Sequence, residues 1–214
     1  MRNFTIVDVQ QGTAEWLAAR AGRLTASRAA DMLAKDRSGK GPGTSRENLK
    51  WEQAIEGLTG LPMPEKFKSA AMQRGTALEP QAITAYEELT GSLVRTCGFL
   101  AHTTLAAGAS PDGYLGDFQI LVSIKCREVK AHAEHLLSGT IPNDALQQMR
   151  HELWLTGAAD HHYVSWHPDF PEKLRMRVHV LHAKDLDIPG YDAEVKRFLA
   201  EVADAKAKLL AVAA

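Results

Sequence analysis

Near Leu93 the hydrophobic period of the chain changes, and that change decides what it can fold into. Upstream, apolar residues recur at helical spacing; downstream, short β-type segments stand between turn residues such as Pro111-Asp112-Gly113. A helical reading covers residues 11–35, broken near Gly22, with Thr25 or Ser27 placed to cap a second helix. The loop 38–45 follows, then a helix over 47–59 ended by Gly60-Leu61-Pro62 and a strong helix over 69–90. Strands are predicted at 93–94, 98–100, 106–109, 114–115 and 120–125, a helix from 143 or 144 to 156, strands at 161–166 and 174–181, and a closing helix over 191–212. Helices, a run of strands, a helix, two strands and a helix predict an α/β fold with a mixed central β-sheet flanked by helices. The chain reads as a single domain over 1–214, divided into N-terminal helices (1–60), a core (69–182) and a C-terminal helix (191–212).

With 214 residues, 45% hydrophobic and 24% charged, the composition is that of a soluble globular protein and excludes disorder and collagen-like repeats. No apolar run approaches the ~18–20 residues of a membrane span, and Asp8 falls where a signal peptide would be apolar. Two cysteines, Cys97 and Cys126, are too few for a disulfide framework, so a reducing cytoplasm or nucleoid is expected. The net charge of −1 argues against a DNA-coating protein, but the charge is segregated. Residues 20–50 hold eight basic and three acidic side chains; residues 185–204 hold six acidic and two basic ones. A localised anion site fits that distribution.

Four acid, base or amide side chains, Asp112, Lys125, Glu79 and Gln148, suit a metal-dependent phosphodiesterase. Asp112 lies on a turn, rigidly aimed. Period-2 alternation puts Ser123 and Lys125 on one strand face with Ile124 pointing into the core. Glu79 projects from the preceding helix and Gln148 from the following one. Mg²⁺ takes carboxylate oxygens and retains several waters, and a neighbouring lysine orients or deprotonates an attacking water and offsets transition-state charge.

Pro111-Asp112-Gly113 followed by Ile120-Leu121-Val122-Ser123-Ile124-Lys125 resembles the Pro-Asp … Glu-x-Lys core of the PD-(D/E)XK nucleases, with their restriction-endonuclease-like fold. Three further segments narrow the resemblance to the phage lambda exonuclease and YqaJ-type viral recombinase family. They are Trp16 to Arg20 with Leu24-Thr25-Ala26-Ser27, Arg74 to Glu79, and Gln148 to Trp154. The resemblance implies a Mg²⁺-dependent (or Mn²⁺-dependent) 5′→3′ exonuclease that acts on double-stranded DNA ends and leaves 3′ single-stranded overhangs for phage recombination. It further implies a homotrimeric ring, a single-strand annealing protein as partner, and no membrane. Asp112, the residue-123 side chain and the Ile124 carbonyl would hold the metal, with Glu79 assisting. Lys125 would activate water, and Gln148 would position Lys125 or the phosphate. Arg20, Ser27 and Arg37 would hold the 5′-phosphate. The sequence departs from the family at Ser123, where a carboxylate belongs. Three explanations compete: a deliberate inactivating substitution, which is favoured; a naturally inactive relative; or a replacement carboxylate such as Glu128 or Asp117. The alternatives to an exonuclease are a DNA-end-binding protein without catalysis and another PD-(D/E)XK endonuclease or resolvase.

Other residues take plainer readings. His132 with His135, and His161-His162, lack the cysteine partners of a zinc site and read as hydrogen-bonded imidazoles. Cys126 reads as a small buried residue despite its neighbour Lys125, and Trp16 and Trp154 read as core aromatics. Gly39-Lys40-Gly41 lacks the remainder of a phosphate-loop pattern. Met72 lies where the family places an apolar wedge.

Overall fold

A computed structural model describes residues 2–64 and 70–212, so Ser69 lies outside the described residues, as does the side chain of Met72. The chain forms β1 (Phe4–Val7), α1 (Ala14–Arg20), β2 (Leu24–Thr25), α2 (Ala29–Met32), α3 (Thr44–Thr59), α4 (Ala70–Thr90), β3 (Phe99–His102), β4 (Ala107–Ala109), β5 (Gly113–Leu115) and β6 (Ile120–Lys125). Then come α5 (Val129–Ser138), α6 (Asn143–Thr156), β7 (Asp160–Trp166), β8 (Met176–His182) and α7 (Ile188–Val212). The α/β class holds, but the strands divide into two four-stranded sheets rather than one: β1-β3-β4-β2 and β5-β6-β7-β8. Both are mixed, with β2–β4 and β6–β7 parallel and their other pairs antiparallel.

The second sheet positions the candidate chemistry. In register, Leu121 lies beside His161, Ser123 beside Tyr163 and Lys125 beside Ser165. These odd-numbered residues share one face, because side chains alternate along a strand and neighbours in register point the same way. On that face α6 packs: Met149 meets Tyr163, and Leu153 belongs with Leu121 to the larger core. The even residues Val122, Ile124, Val164 and Trp166 face the other way, onto Ala82 and Tyr86 of α4. Helix α7 packs along α3, tied by the buried Arg46, which bonds Glu201 at 2.8 and 3.2 Å and also the Met32 carbonyl.

Local differences from the sequence reading have physical causes. The helix over 11–35 is interrupted by β2, because Gly22 turns the chain at φ +68° and Leu24-Thr25 then pair with Ala107-Gly108. Neither Thr25 nor Ser27 caps a helix; their hydroxyls lie 3.3 Å apart instead. Residues 93–94 contribute no strand, only the isolated Arg95–Tyr114 bridge beside them. Helix α5 had no aliphatic stripe to reveal it, since it buries His132 and His135. His132 accepts from the Ser165 hydroxyl at 2.8 Å and donates to the Leu174 carbonyl at 2.9 Å, the structural role expected over a zinc role.

Candidate active site

The turn entering β5 and the C-terminal end of β6 bring Asp112 and Lys125 together. The Ile124 backbone N–H donates to Asp112 Oδ2 at 2.8 Å, and Lys125 Nζ stands 3.6 Å from the same oxygen. That bond from the Ile124 N–H is what aims the Asp112 carboxylate toward the neighbouring strand. Helix α4 runs past the same strand end, where Gly75 comes close to the Cys126 carbonyl. It delivers Glu79 to the cluster: burial and the charge of Asp112 push the Glu79 carboxyl up to about 7, against the opposing pull of Lys125. Asp112 in turn raises the Lys125 ammonium above its ordinary value. Burial, then Glu79, pushes the Cys126 thiol up to about 11, so it is no reactive thiolate.

Ser123 is 1% exposed. Its hydroxyl faces the same side as Lys125, at the position where the sequence resemblance calls for a carboxylate. Neither replacement weighed from the sequence fits. Asp117 sits at the opposite end of β6, exposed and paired with Arg2, and Glu128 is exposed and turned toward Arg74 at 3.9 Å. Among the described residues no group of three or more His, Cys, Asp or Glu side chains forms a metal cage. The charge of Asp112 nevertheless acts on the Glu79 carboxyl, and repulsion between two such carboxylates is what a divalent cation relieves. That donor set, all oxygen, fits Mg²⁺ or Mn²⁺.

Gln148 is half-buried and bonds along its own helix. Its Nε2 donates to Glu152 Oε1 at 3.0 Å, one turn along α6, while His161 Nε2 donates to Glu152 Oε2 at 2.6 Å. Glu152 and His161 are both fully buried. His161 is the hydrogen-bonded imidazole expected from the sequence, but Glu152 is not singled out there; the i, i+4 spacing of Gln148 and Glu152 on a helix following the Ser-x-Lys strand was the available signal.

Arg20 and Ser27 meet in a separate cleft of about 400 Å³, which Arg23 and Arg28 also line. Arg20 lies 3.4 Å from the Ser27 hydroxyl and stacks on the Trp16 ring at 3.8 Å. Arg28 is committed to Asp31 and Glu52, both at 2.7 Å. Ser27 occupies a short 3-10 turn and α2 has four residues, so no long helix N-terminus adds its N–H groups. Arg37 is not brought to this cleft: it stands exposed on the hairpin closed by the Lys35–Pro42 bridge. Trp16 is a half-buried strut rather than a core aromatic, its indole N–H donating to Ser110 Oγ at 2.9 Å, two residues before Asp112. Trp154 is the buried aromatic expected, with its N–H on Asp192.

The sequence matches the family model for the YqaJ-like viral recombinase domain over residues 15–159. The chain belongs to the YqaJ-like viral recombinase family. Among solved structures it is similar to an alkaline exonuclease, LHK-Exo, from Laribacter hongkongensis, with 35% identity, a TM-score of 0.83 and coverage of 94% of this chain and 98% of that one. The same exonuclease in complex with dAMP matches equally well. A phage-related exonuclease from Haemophilus somnus 129PT shares the fold at 14% identity, with a TM-score of 0.67 and coverage of 90% and 96%. A search of curated proteins finds no significant match. No helix among the described residues is long and apolar enough to cross a membrane.

Proposed function

We propose that this chain is a divalent-metal-dependent exonuclease that digests the 5′-ended strand of duplex DNA and leaves a 3′ overhang for recombination. The observation that carries the proposal is the convergence of Asp112, Lys125 and Glu79 at one strand end, where the Ile124 N–H holds Asp112. The 35% identity to an alkaline exonuclease over nearly the whole of both chains supports the same reading. Asp112 and the Ile124 carbonyl would hold Mg²⁺, with Glu79 next to it and Mn²⁺ as an alternative ion. Such an ion, when bound, lowers the pKa of a coordinated water and stabilises charge on the scissile phosphate. Lys125, kept protonated by Asp112, orients the attacking water and offsets the charge developing on the phosphate oxygens. Arg20 and Ser27 bind the terminal 5′-phosphate, the guanidinium supplying a planar fork for its oxygens. Arg37 joins them only through movement of its hairpin.

A ring of three copies and a single-strand annealing partner complete the reading. A closed ring retains DNA by topology, which suits a chain whose net charge is −1. The test is release of acid-soluble nucleotides in Mg²⁺ from linear, 5′-phosphorylated duplex and from closed circular DNA. Release from the linear duplex alone is expected. Cutting of closed circles would make the protein an endonuclease. Binding of duplex ends without release, in Mg²⁺ or Mn²⁺, would favour the second reading, an end-binding protein inactivated at Ser123.

A further inference from the structure

The exonuclease reading leaves one deficit, the carboxylate missing at Ser123, and the structure locates a side chain that makes it good. We propose that Glu152, on α6, supplies the second carboxylate ligand of the divalent cation, so that Ser123 marks a relocated ligand rather than a lost one. This rests on the proposed cation site at Asp112.

Placement is the first argument. Helix α6 covers the sheet face on which Ser123 and Lys125 lie. Glu152 bonds His161, which sits beside Leu121, one same-face step along β6 from Ser123. A side chain reaching down from the helix therefore approaches the region that a glutamate at 123 would reach from the strand. Serine is too short to occupy that space itself.

The second argument is the way the carboxylate is held. Glu152 Oε1 accepts from Gln148 and Oε2 from His161. Each oxygen keeps lone-pair capacity after one such bond. A ligating carboxylate is characteristically oriented by hydrogen bonds of this kind. Burial alone would push the Glu152 carboxyl up, but His161, Gln148 and Lys125 together hold it below its ordinary range, as the anion a cation requires. Gln148 also gains a definite role, as the residue that positions Glu152.

Binding of Mn²⁺, followed by electron paramagnetic resonance of the free ion, and nucleotide release in Mg²⁺ are measured on the full chain. The variants are Glu152→Gln, Ser123→Glu, the Ser123→Glu/Glu152→Gln double variant and Asp112→Asn. Glu152→Gln is expected to weaken Mn²⁺ binding at least tenfold and nuclease activity at least a hundredfold. The double variant, with the carboxylate returned to the strand, recovers both to within about tenfold of the parent. Ser123→Glu alone gains less than threefold, an outcome independent of whether Glu152→Gln folds. A gain of two orders of magnitude from Ser123→Glu alone would overturn the inference. So would a Glu152→Gln protein that binds and cuts like the parent while Asp112→Asn does neither; the exonuclease reading would then survive. A parent chain with no Mn²⁺ binding and no nuclease activity would overturn both.

Discussion

Replacing Glu79 by glutamine tests whether the acidic cluster is strained in the absence of metal. The Glu79 carboxyl moves from an ordinary 4.5 to about 7, through burial first and the charge of Asp112 second. Below pH 4.5 the group is protonated in both native and unfolded chains and costs nothing. Between 4.5 and about 7 the native protein retains a proton that the unfolded chain has released, so this group's contribution to stability falls as pH rises; above 7 the full penalty stands. A shift of this size corresponds to about 3 kcal/mol for a fully shielded group. Glu79 is only half-buried, and solvent screening reduces the expectation to about 1–2 kcal/mol. In urea titrations with EDTA, Glu79→Gln is therefore expected to gain about 1–2 kcal/mol over the parent at pH 8.5 relative to their difference at pH 4.0. Added Mg²⁺ should narrow the gap at pH 8.5, because the cation stabilises the parent more. A difference independent of pH, or one that shrinks as pH rises, would refute the electrostatic argument.

Lys125→Ala should lower nucleotide release by about 10²–10⁴-fold while Mn²⁺ binding persists, since the ammonium acts on the phosphate and not on the ion; retained activity would remove Lys125 from the chemistry. Arg20→Ala should erase a preference for 5′-phosphorylated over 5′-hydroxyl ends, measured as a ratio of digestion rates, while leaving the melting temperature within a few degrees. Arg46→Met should cost about 2–3 kcal/mol in urea unfolding, because the Met32 carbonyl and Glu201 lose a buried donor. Acidification should destabilise the parent between about pH 6.5 and 4 through His151, whose imidazole is driven down to about 4 by burial. The unfolded chain takes up that proton first, and a His151→Gln variant should show a shallower loss of stability across that interval.

Much of this site was legible from spacing. Pro-Asp-Gly, a strand ending in Ser-x-Lys and a glutamate on the preceding helix were enough to name Asp112, Lys125 and Glu79, and the fold brings those three together. The alternation placing Ile124 in the core holds as well. Glu152 was missed because a glutamate beside a leucine and a tryptophan on a helix ordinarily reads as solvated; its burial depends on His161, nine residues on, across a strand pairing that no local window contains. Arg37 was assigned by resemblance alone, and nothing local fixes where a hairpin tip of Gly, Ser and Lys comes to rest. β2 escaped notice because two residues become a strand only when Ala107 and Gly108 arrive from elsewhere in the chain.

Ile124 has a consequence for how such a protein can change over generations. Its peptide N–H fixes the carboxylate of Asp112, while its side chain is wedged among Ala82, Tyr86, Val122, Val164 and Trp166. A methyl group added or removed anywhere in that greasy layer shifts the backbone that aims Asp112. Selection for faster or slower turnover thus has access to positions with no contact with substrate, and a screen for altered rate would recover hits beneath α4 as well as around Asp112 itself.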